Sequence, residues 1–242
     1  MTQQPLWIGT AGWNVPARYE VPAGRGQLER YARALNAVEI NSSFYRPHQR
    51  KTYERWALST PEAFRFSVKM PRTITHNAQL ANCDAMLDRF IAEVTGLGDK
   101  LGVLLVQLPP KLASDEQIAG RFFQNLQARI VTPIALEPRN ASWFAPDMDA
   151  WLAAHRVARV AADPARVDGS EAPGGWKGLV YYRWHGAPKI YYSNYHDTAL
   201  ATLRLRLDKD MERSAQAWCI FDNTASGAAF GNALTLASSE QA

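Results

Sequence analysis

The feature that most constrains this chain is a recurrence. Short apolar runs end abruptly in a charged or amide side chain, time after time, with helical patterns between them. Val38-Glu39-Ile40-Asn41-Ser42-Ser43-Phe44-Tyr45-Arg46 shows the unit most clearly. On a strand, Glu39 and Asn41 point away from Val38 and Ile40, and Phe44, Tyr45 and Arg46 follow at once. A strand that delivers a carboxylate, an amide and a guanidinium at its C-terminal tip is suited to chemistry there.

The apolar runs are Leu6–Thr10, Ala37–Asn41, Arg65–Lys69, Leu101–Gln107, Ile134–Glu137, Val157–Ala161 (ending at Asp163), Leu179–Arg183 and Ala217–Phe221. The run at 101–107 is continuously apolar, as expected of a parallel strand buried on both faces. Between the runs, Leu28, Tyr31, Ala32 and Leu35 recur at helical spacing, and a short helix is expected over Thr52–Leu58. Asn82 is placed to cap a helix whose inner face is Met86, Leu87, Phe90, Ile91, Val94 and Leu97. Ser114 and Gln117 have capping-box spacing ahead of Ile118, Phe122, Leu126 and Ile130. Met148, Trp151 and Leu152 mark a further helix, Leu200, Leu203 and Leu207 another, and residues from about 227 to 236 the last. The Gly- and Pro-rich segment 164–178 reads as an irregular loop standing where a regular barrel has a helix.

Eight strands alternating with helices in 242 residues predict one α/β domain over 1–242, a (β/α)8 TIM barrel. A doubly wound open sheet is the competing topology, and no Gly-x-Gly-x-x-Gly or phosphate-loop run supports it. Composition narrows the function classes. A net charge of +4, dispersed along the chain, does not indicate a nucleic-acid protein. No apolar run approaches the ~20 residues of a membrane span. Met1-Thr2-Gln3-Gln4-Pro5 lacks the marks of a signal peptide, so a cytoplasmic location is expected. Cys83 and Cys219 lie in apolar-periodic segments without metal-ligand spacing and read as buried thiols.

The strand ends carry Thr10; Glu39 and Asn41; Lys69; Gln107; Glu137 and Arg139; Asp163; Arg183 and His185; Asp222 and Asn223. In barrel enzymes this C-terminal face bears the active site. Solvated strand ends would show Ser, Gly and Asp, not Glu, Lys, Gln, Arg and His flanked by aromatics. Glu39 and Glu137 can divide acid and base work, Lys69 can carry a proton, form a Schiff base or hold an anion, and His76 and His185 can transfer protons. Glu39 and Glu137 are expected on different sides of the mouth. Trp13, Tyr45, Trp143 and Trp184 are candidates for stacking on a ligand.

The ordered succession Gly9-Thr10-Ala11-Gly12-Trp13, 38–45, Phe66-Ser67-Val68-Lys69-Met70-Pro71, Ile74-Thr75-His76, 105–110, Glu137-Pro138-Arg139 with Ser142-Trp143, Arg183-Trp184-His185-Gly186 and Phe221-Asp222-Asn223 with Gly227, Asn232 and Ala233 resembles the DUF72, or YecE-like, family nearly end to end. The resemblance implies a TIM-barrel-like fold; the family brings no established reaction with it. The chain departs from the family pattern at Asn140, where His is usual, over the altered stretch 14–19 after Trp13, and at Asp222, where Asn is frequent.

The leading expectation is acid–base chemistry on a small anionic, phosphorylated or sugar-like substrate, with Glu39, Lys69, Glu137 and His185 in catalytic roles. Thr10, Trp13, Asn41, Tyr45, Arg46, His76, Gln107, Arg139, Trp143, Asp163, Arg183, Asp222, Asn223 and Gly227 are the candidate ligand contacts. No cofactor is expected. A Mg2+ or Mn2+ held by Glu39, Glu137, Asp163 and His185 is the alternative, in a hydrolase or nuclease of xylose-isomerase-like type, but no metal-binding run strengthens it. A third expectation is a non-catalytic binding barrel. An anion is expected between Gly186 and Gly227, served by Arg183 and a helix N-terminus, with Lys69 and Arg139 as a wider basic rim.

Overall fold

The computed structural model describes residues 5–239. The opening stretch read for a signal peptide lies outside them, apart from Pro5. The strands are β1 (Leu6–Ala11), β2 (Ala37–Ile40), β3 (Arg65–Lys69), β4 (Leu101–Gln107), β5 (Ile134–Glu137), β6 (Val157–Arg159), β7 (Ala161–Asp163), β8 (Gly174–Gly175), β9 (Val180–Trp184) and β10 (Ala217–Phe221). The helices are α1 (Gln27–Tyr31), α2 (Ser42–Tyr45), α3 (Arg50–Leu58), α4 (Asp84–Val94), α5 (Glu116–Gln127), α6 (Met148–Ala154), α7 (Asp197–Met211) and α8 (Ala228–Ser238).

The strands form one sheet in the order β7-β9-β10-β1-β2-β3-β4-β5-β6-β8, and every pair is parallel except β6 with β8. β6 pairs with β5 and β7 with β9, so the two segments are successive halves of a single stave interrupted at Val160. The sheet therefore closes through the chain itself. This is the expected eight-stave barrel, with the sixth stave split and a two-residue strand added.

Two apolar clusters follow from the alternation along each stave. The outer one lies between sheet and helices and includes Ile8, Val38, Phe66, Leu104, Leu136, Tyr182 and Phe221. The inner one fills the barrel with Ala37, Val103, Leu105, Ala135, Ala158, Tyr181, Trp218 and Ile220. Trp218 stacks on Tyr181 at 6.1 Å and leans on Trp7 at 5.9 Å. Gly102 makes room for it, since a Cβ there would stand 2.4 Å from the Trp218 ring.

The structure corrects several local expectations. Asn82 does not cap α4; the residue before the helix is Cys83, and Asn82 adopts a left-handed backbone conformation (φ 48°). At α5 the cap is Asp115, whose carboxylate accepts from the N–H groups of Gln117 and Ile118, whereas Ser114 turns to Ser142. Ile118 is exposed, because the register set by Asp115 turns it off the buried face of Ala119, Phe122, Phe123 and Leu126. Segment 164–178 carries no helix. Arg159 pins it by donating to the carbonyls of Gly169 and Ala172 while pairing with Asp149 at 2.8 Å.

Candidate functional site

Above the apolar layer of Tyr181 and Trp218, the inward positions of the staves change from hydrocarbon to charge. Arg183 from β9 occupies the centre, with its side chain 1% exposed. Its Nε donates to both oxygens of Glu39 at 3.1 and 3.2 Å, and Nη2 to Glu39 Oε1 at 2.8 Å. Nη1 donates to Glu137 Oε2 at 3.1 Å, and Nη2 lies 3.0 Å from Asp222 Oδ2. One guanidinium therefore joins three carboxylates from three other staves. Glu39 and Glu137, expected on different sides of the mouth, are tied together through it.

The remaining bonds of the cluster fix its members. Tyr181 donates its hydroxyl to Glu39 Oε2 at 2.8 Å and lies 2.8 Å from Ser67 Oγ. Glu137 also accepts from Gln107 Nε2 at 2.9 Å and from Arg139 at 3.1 and 3.3 Å. His185 has Nδ1 3.0 Å from Asp222 Oδ2 and Nε2 3.2 Å from Glu137 Oε1. With a carboxylate at each ring nitrogen, the doubly protonated ring satisfies both. Burial opposes that charge, but Glu137 and the hydrogen bonds of Asp222 and Glu137 raise the His185 pKa above its ordinary value. Burial would raise Glu137 as well; Arg183, His185 and Arg139 instead hold it well below the usual carboxylate range. Asp222 is likewise lowered, against burial, by Arg183 and His185.

Lys69, at the tip of β3, differs from all of these. It is 7% exposed, and its recorded contact is the Phe44 ring, 4.1 Å from Nζ. Among the described residues its ammonium has neither a hydrogen-bond acceptor nor a salt-bridge partner. Burial first, then Arg183, bring its pKa down to about 8 against the pull of Glu137, Glu39 and Asp222. Asn41 follows the end of β2, as the residue before α2. Its Nδ2 reaches Asp222 Oδ1 only at 3.5 Å, and its Oδ1 is buried without a donor. His76 sits on a single wide π turn, Thr73–Asn77, bonded to Thr75 at 2.9 Å and edge-on to Phe44. Burial, then Lys69 and Arg139, lower its pKa. With His185 protonated, four cations (Lys69, Arg139, Arg183, His185) face three carboxylates (Glu39, Glu137, Asp222) in the mouth.

Other candidates lie elsewhere. Thr10 turns outward, donating to the Gly12 carbonyl and lying 3.0 Å from Tyr31 Oη. Trp143 is buried in the outer core, its indole N–H donating to the Leu112 carbonyl at 3.0 Å. Trp184 is buried against Tyr195. Trp13 packs edge-on to Trp56 and lines an outer cleft between α1 and α3 with Arg25, Arg33 and Arg55. That cleft is roomy, but no member of the Arg183 cluster lines it. Tyr45 is exposed and Arg46 lies beside it on the rim. Asp163 accepts from Tyr195 Oη at 2.6 Å, and Asn223 ties Ser193 to Asn232. Of the four residues named for Mg2+ or Mn2+, Asp163 is held apart by Tyr195 while the other three are bound up with Arg183, and no group of three or more His, Cys, Asp or Glu among the described residues is arranged to hold a metal.

The donors expected to hold an anion between Gly186 and Gly227 are already used. Gly186 N–H donates to Tyr195, Gly227 N–H to the Thr224 carbonyl, and Arg183 to its three carboxylates. Sequence reasoning missed Tyr181 and Ser67; the shared parity of Tyr181, Arg183 and His185 along one stave was the available signal. Asn140, standing where His is usual, caps the turn at 141–144 by accepting from Ser142 N–H and Oγ.

A family model described as "Protein of unknown function DUF72" matches residues 7–242. UPF0759 protein YecE of Escherichia coli K12 is 36% identical over 104 residues, 43% of this chain and 38% of YecE. UPF0759 protein YunF of Bacillus subtilis 168 is 31% identical over 151 residues, 58% of this chain and 53% of YunF. The matches thus span about half the length of these relatives or less. Among solved structures, a DUF72 family protein from Enterococcus faecalis V583 superposes with TM-score 0.81 at 22% identity, covering 99% of this chain and 98% of that one. One from Thermotoga maritima MSB8 gives 0.79 at 19%, covering 98% and 100%. At these identities the likeness establishes the fold. No helix among the described residues is long and apolar enough to cross a membrane.

Proposed function

The chain belongs to the DUF72 family, and from the geometry of its barrel mouth we propose that it is an enzyme that binds a small anionic compound there and moves a proton on it. The observation that carries this reading is Lys69. Every other charged group converging on the mouth has a counter-charge within hydrogen-bonding reach, while the Lys69 side chain is largely buried and its ammonium, open to the mouth, has an aromatic ring as its contact. A cation partly stripped of water and without a protein acceptor is costly, and an anionic or carbonyl oxygen relieves the cost.

The roles divide accordingly. Lys69, with a pKa near 8, exchanges its proton close to neutral pH and is the reacting group. Glu39 and Glu137 have their oxygens committed to Arg183, Tyr181, Gln107, Arg139 and His185, and act as a fixed electrostatic frame. His185, held between two carboxylates, sets the charge beneath the ligand. His76 and Arg139 stand at the entrance.

The test is a thermal-shift screen of small carboxylates and phosphates against the wild type and Lys69→Met near pH 7.5. A ligand at 100 times its Kd stabilises the native state by about 2.7 kcal/mol, which for a chain of this size is a rise of about 5–10 °C. The expected result is such a rise in the wild type and none in Lys69→Met. If no millimolar anion separates the two proteins, the reading fails.

A further inference from the structure

We infer that Lys69 joins covalently to its ligand as a protonated imine, so that the compound taken by the mouth is a small anion bearing an aldehyde or ketone carbonyl. The inference rests on the reading of the mouth as an anion site with Lys69 as its reacting group, and adds the bond that forms and the chemical class that forms it.

Lys100 shows how this fold treats a lysine that serves structure alone. Its Nζ donates to the carbonyls of Ala57 and Thr60 at 2.6 and 2.7 Å and to Thr60 Oγ1 at 3.2 Å, which occupies all of its N–H donors. Lys69 has the opposite surroundings. It projects from the C-terminal end of β3, its side chain is largely buried, and Nζ stands 4.1 Å over the Phe44 ring with no acceptor among the described residues. Nζ itself keeps some exposure, open to the mouth.

That setting favours a carbon–nitrogen bond over a simple ion pair. An ammonium carries three N–H donors and a protonated imine only one, so a site without acceptors suits the imine. The nucleophile is the neutral amine, and burial with the Arg183 guanidinium brings the Lys69 pKa down to about 8. At pH 7 that leaves ~10% of the side chain as free amine, against well under ~0.1% for an ordinary lysine. The imine keeps the positive charge, so Glu137, Glu39 and Asp222, which act on the ammonium, act on the product as well.

The step balances without a further reactant. Lys69 releases its ammonium proton to solvent, and the Nζ lone pair forms the C–N bond as the carbonyl π pair moves to oxygen. That oxygen takes a proton shed by the nitrogen. The resulting hydroxyl takes a second proton from solvent and leaves as water, and the remaining nitrogen lone pair completes the C=N bond. In sum, ammonium and carbonyl give iminium and water. The iminium draws electrons from the neighbouring carbon, whose C–H then supplies the proton that the site moves.

The experiment is reductive trapping. The wild type is incubated at pH 7 with pyruvate or dihydroxyacetone phosphate and sodium cyanoborohydride, which delivers hydride to a protonated imine, and the product is read by intact mass and peptide mapping. The expected result is one adduct per chain, on Lys69, formed at least ~tenfold faster than on any other lysine, in keeping with its larger free-amine fraction. Lys69→Arg keeps a cation and cannot form an imine, so in that variant no lysine should be favoured. Melting temperatures of the same mixtures without the reductant separate this inference from the reading beneath it. Stabilisation by the probes with no preferential adduct on Lys69 overturns the imine and leaves the anion site standing. Absence of both adduct and stabilisation overturns the imine, and if other carboxylates and phosphates also fail to bind, the anion reading falls with it. The wild-type peptide map decides the matter even if the variant fails to fold.

Discussion

Replacing Arg183 with Met keeps an unbranched side chain of similar length and deletes the charge at the centre of the cluster. The three carboxylates are not affected equally. Glu137 retains Gln107, Arg139 and His185, and Asp222 retains His185. Glu39, fully buried, keeps only the Tyr181 hydroxyl among its recorded side-chain donors. Removing one partner of a buried ion pair costs ~3–5 kcal/mol, a large share of the ~5–15 kcal/mol that holds a typical protein folded. At ~2–4 °C per kcal/mol for a chain of this size, the melting temperature should fall by about 6–20 °C. Glu39→Gln in the same background removes the stranded charge and preserves an oxygen for Tyr181, so it should restore part of the loss. Thermal denaturation followed by circular dichroism on the four proteins of the cycle gives the coupling, expected at ~1–3 kcal/mol. A loss below ~1 kcal/mol for Arg183→Met, or a further loss on adding Glu39→Gln, refutes the account of the cluster as an interdependent unit.

Trp143→Ala should cost ~3–5 kcal/mol in denaturation experiments and leave ligand-induced thermal shifts unchanged, since Trp143 lies in the outer core away from the mouth. Gly9→Ala should be markedly destabilising, because the added Cβ would meet the Ala37 carbonyl oxygen at 2.1 Å and force β1 from β2; an unchanged melting temperature contradicts that contact. The depressed pKa values of Glu137 and Asp222 give stability that is present above the ordinary carboxylate range, ~4, and lost as pH falls through their folded values; a pH series of melting temperatures should show that acid limb, flattened in Asp222→Asn.

The barrel was legible in the sequence because each stave announces itself by its apolar run, and β3, β4, β5 and β10 fall where the pattern put them. The inward parity of Glu39, Lys69, Glu137 and Arg183 was legible for the same reason. Thr10 was not, since β1 is apolar on both faces and its alternation carries no sign of which face is inside. Trp143 sits on a short turn of 3-10 type, where no helical or strand period predicts its direction. The pairing of Arg183 with carboxylates 144, 46 and 39 residues away is a product of barrel closure, which no local pattern encodes. The same holds for Asp163, whose carboxylate is taken by Tyr195 from beyond the next stave.

The central claim is that Lys69 is a cation held without a partner for the sake of a ligand. Burial and Arg183 bring its pKa from 10.5 to about 8; at 1.36 kcal/mol per unit, holding the charge in the fold costs on the order of 3 kcal/mol. Because the folded-state pKa is the lower one, that cost is full below about pH 8, shrinks as pH rises toward 10.5, and is absent above it. The direct measurement is the melting temperature of ligand-free Lys69→Met against the wild type from pH 7 to pH 10.5. The account predicts a variant more stable at pH 7 by up to ~3 kcal/mol, a gap that closes with rising pH, and no stabilisation by small anions. A variant that is less stable than the wild type at pH 7, or one that still responds to anions, would contradict it.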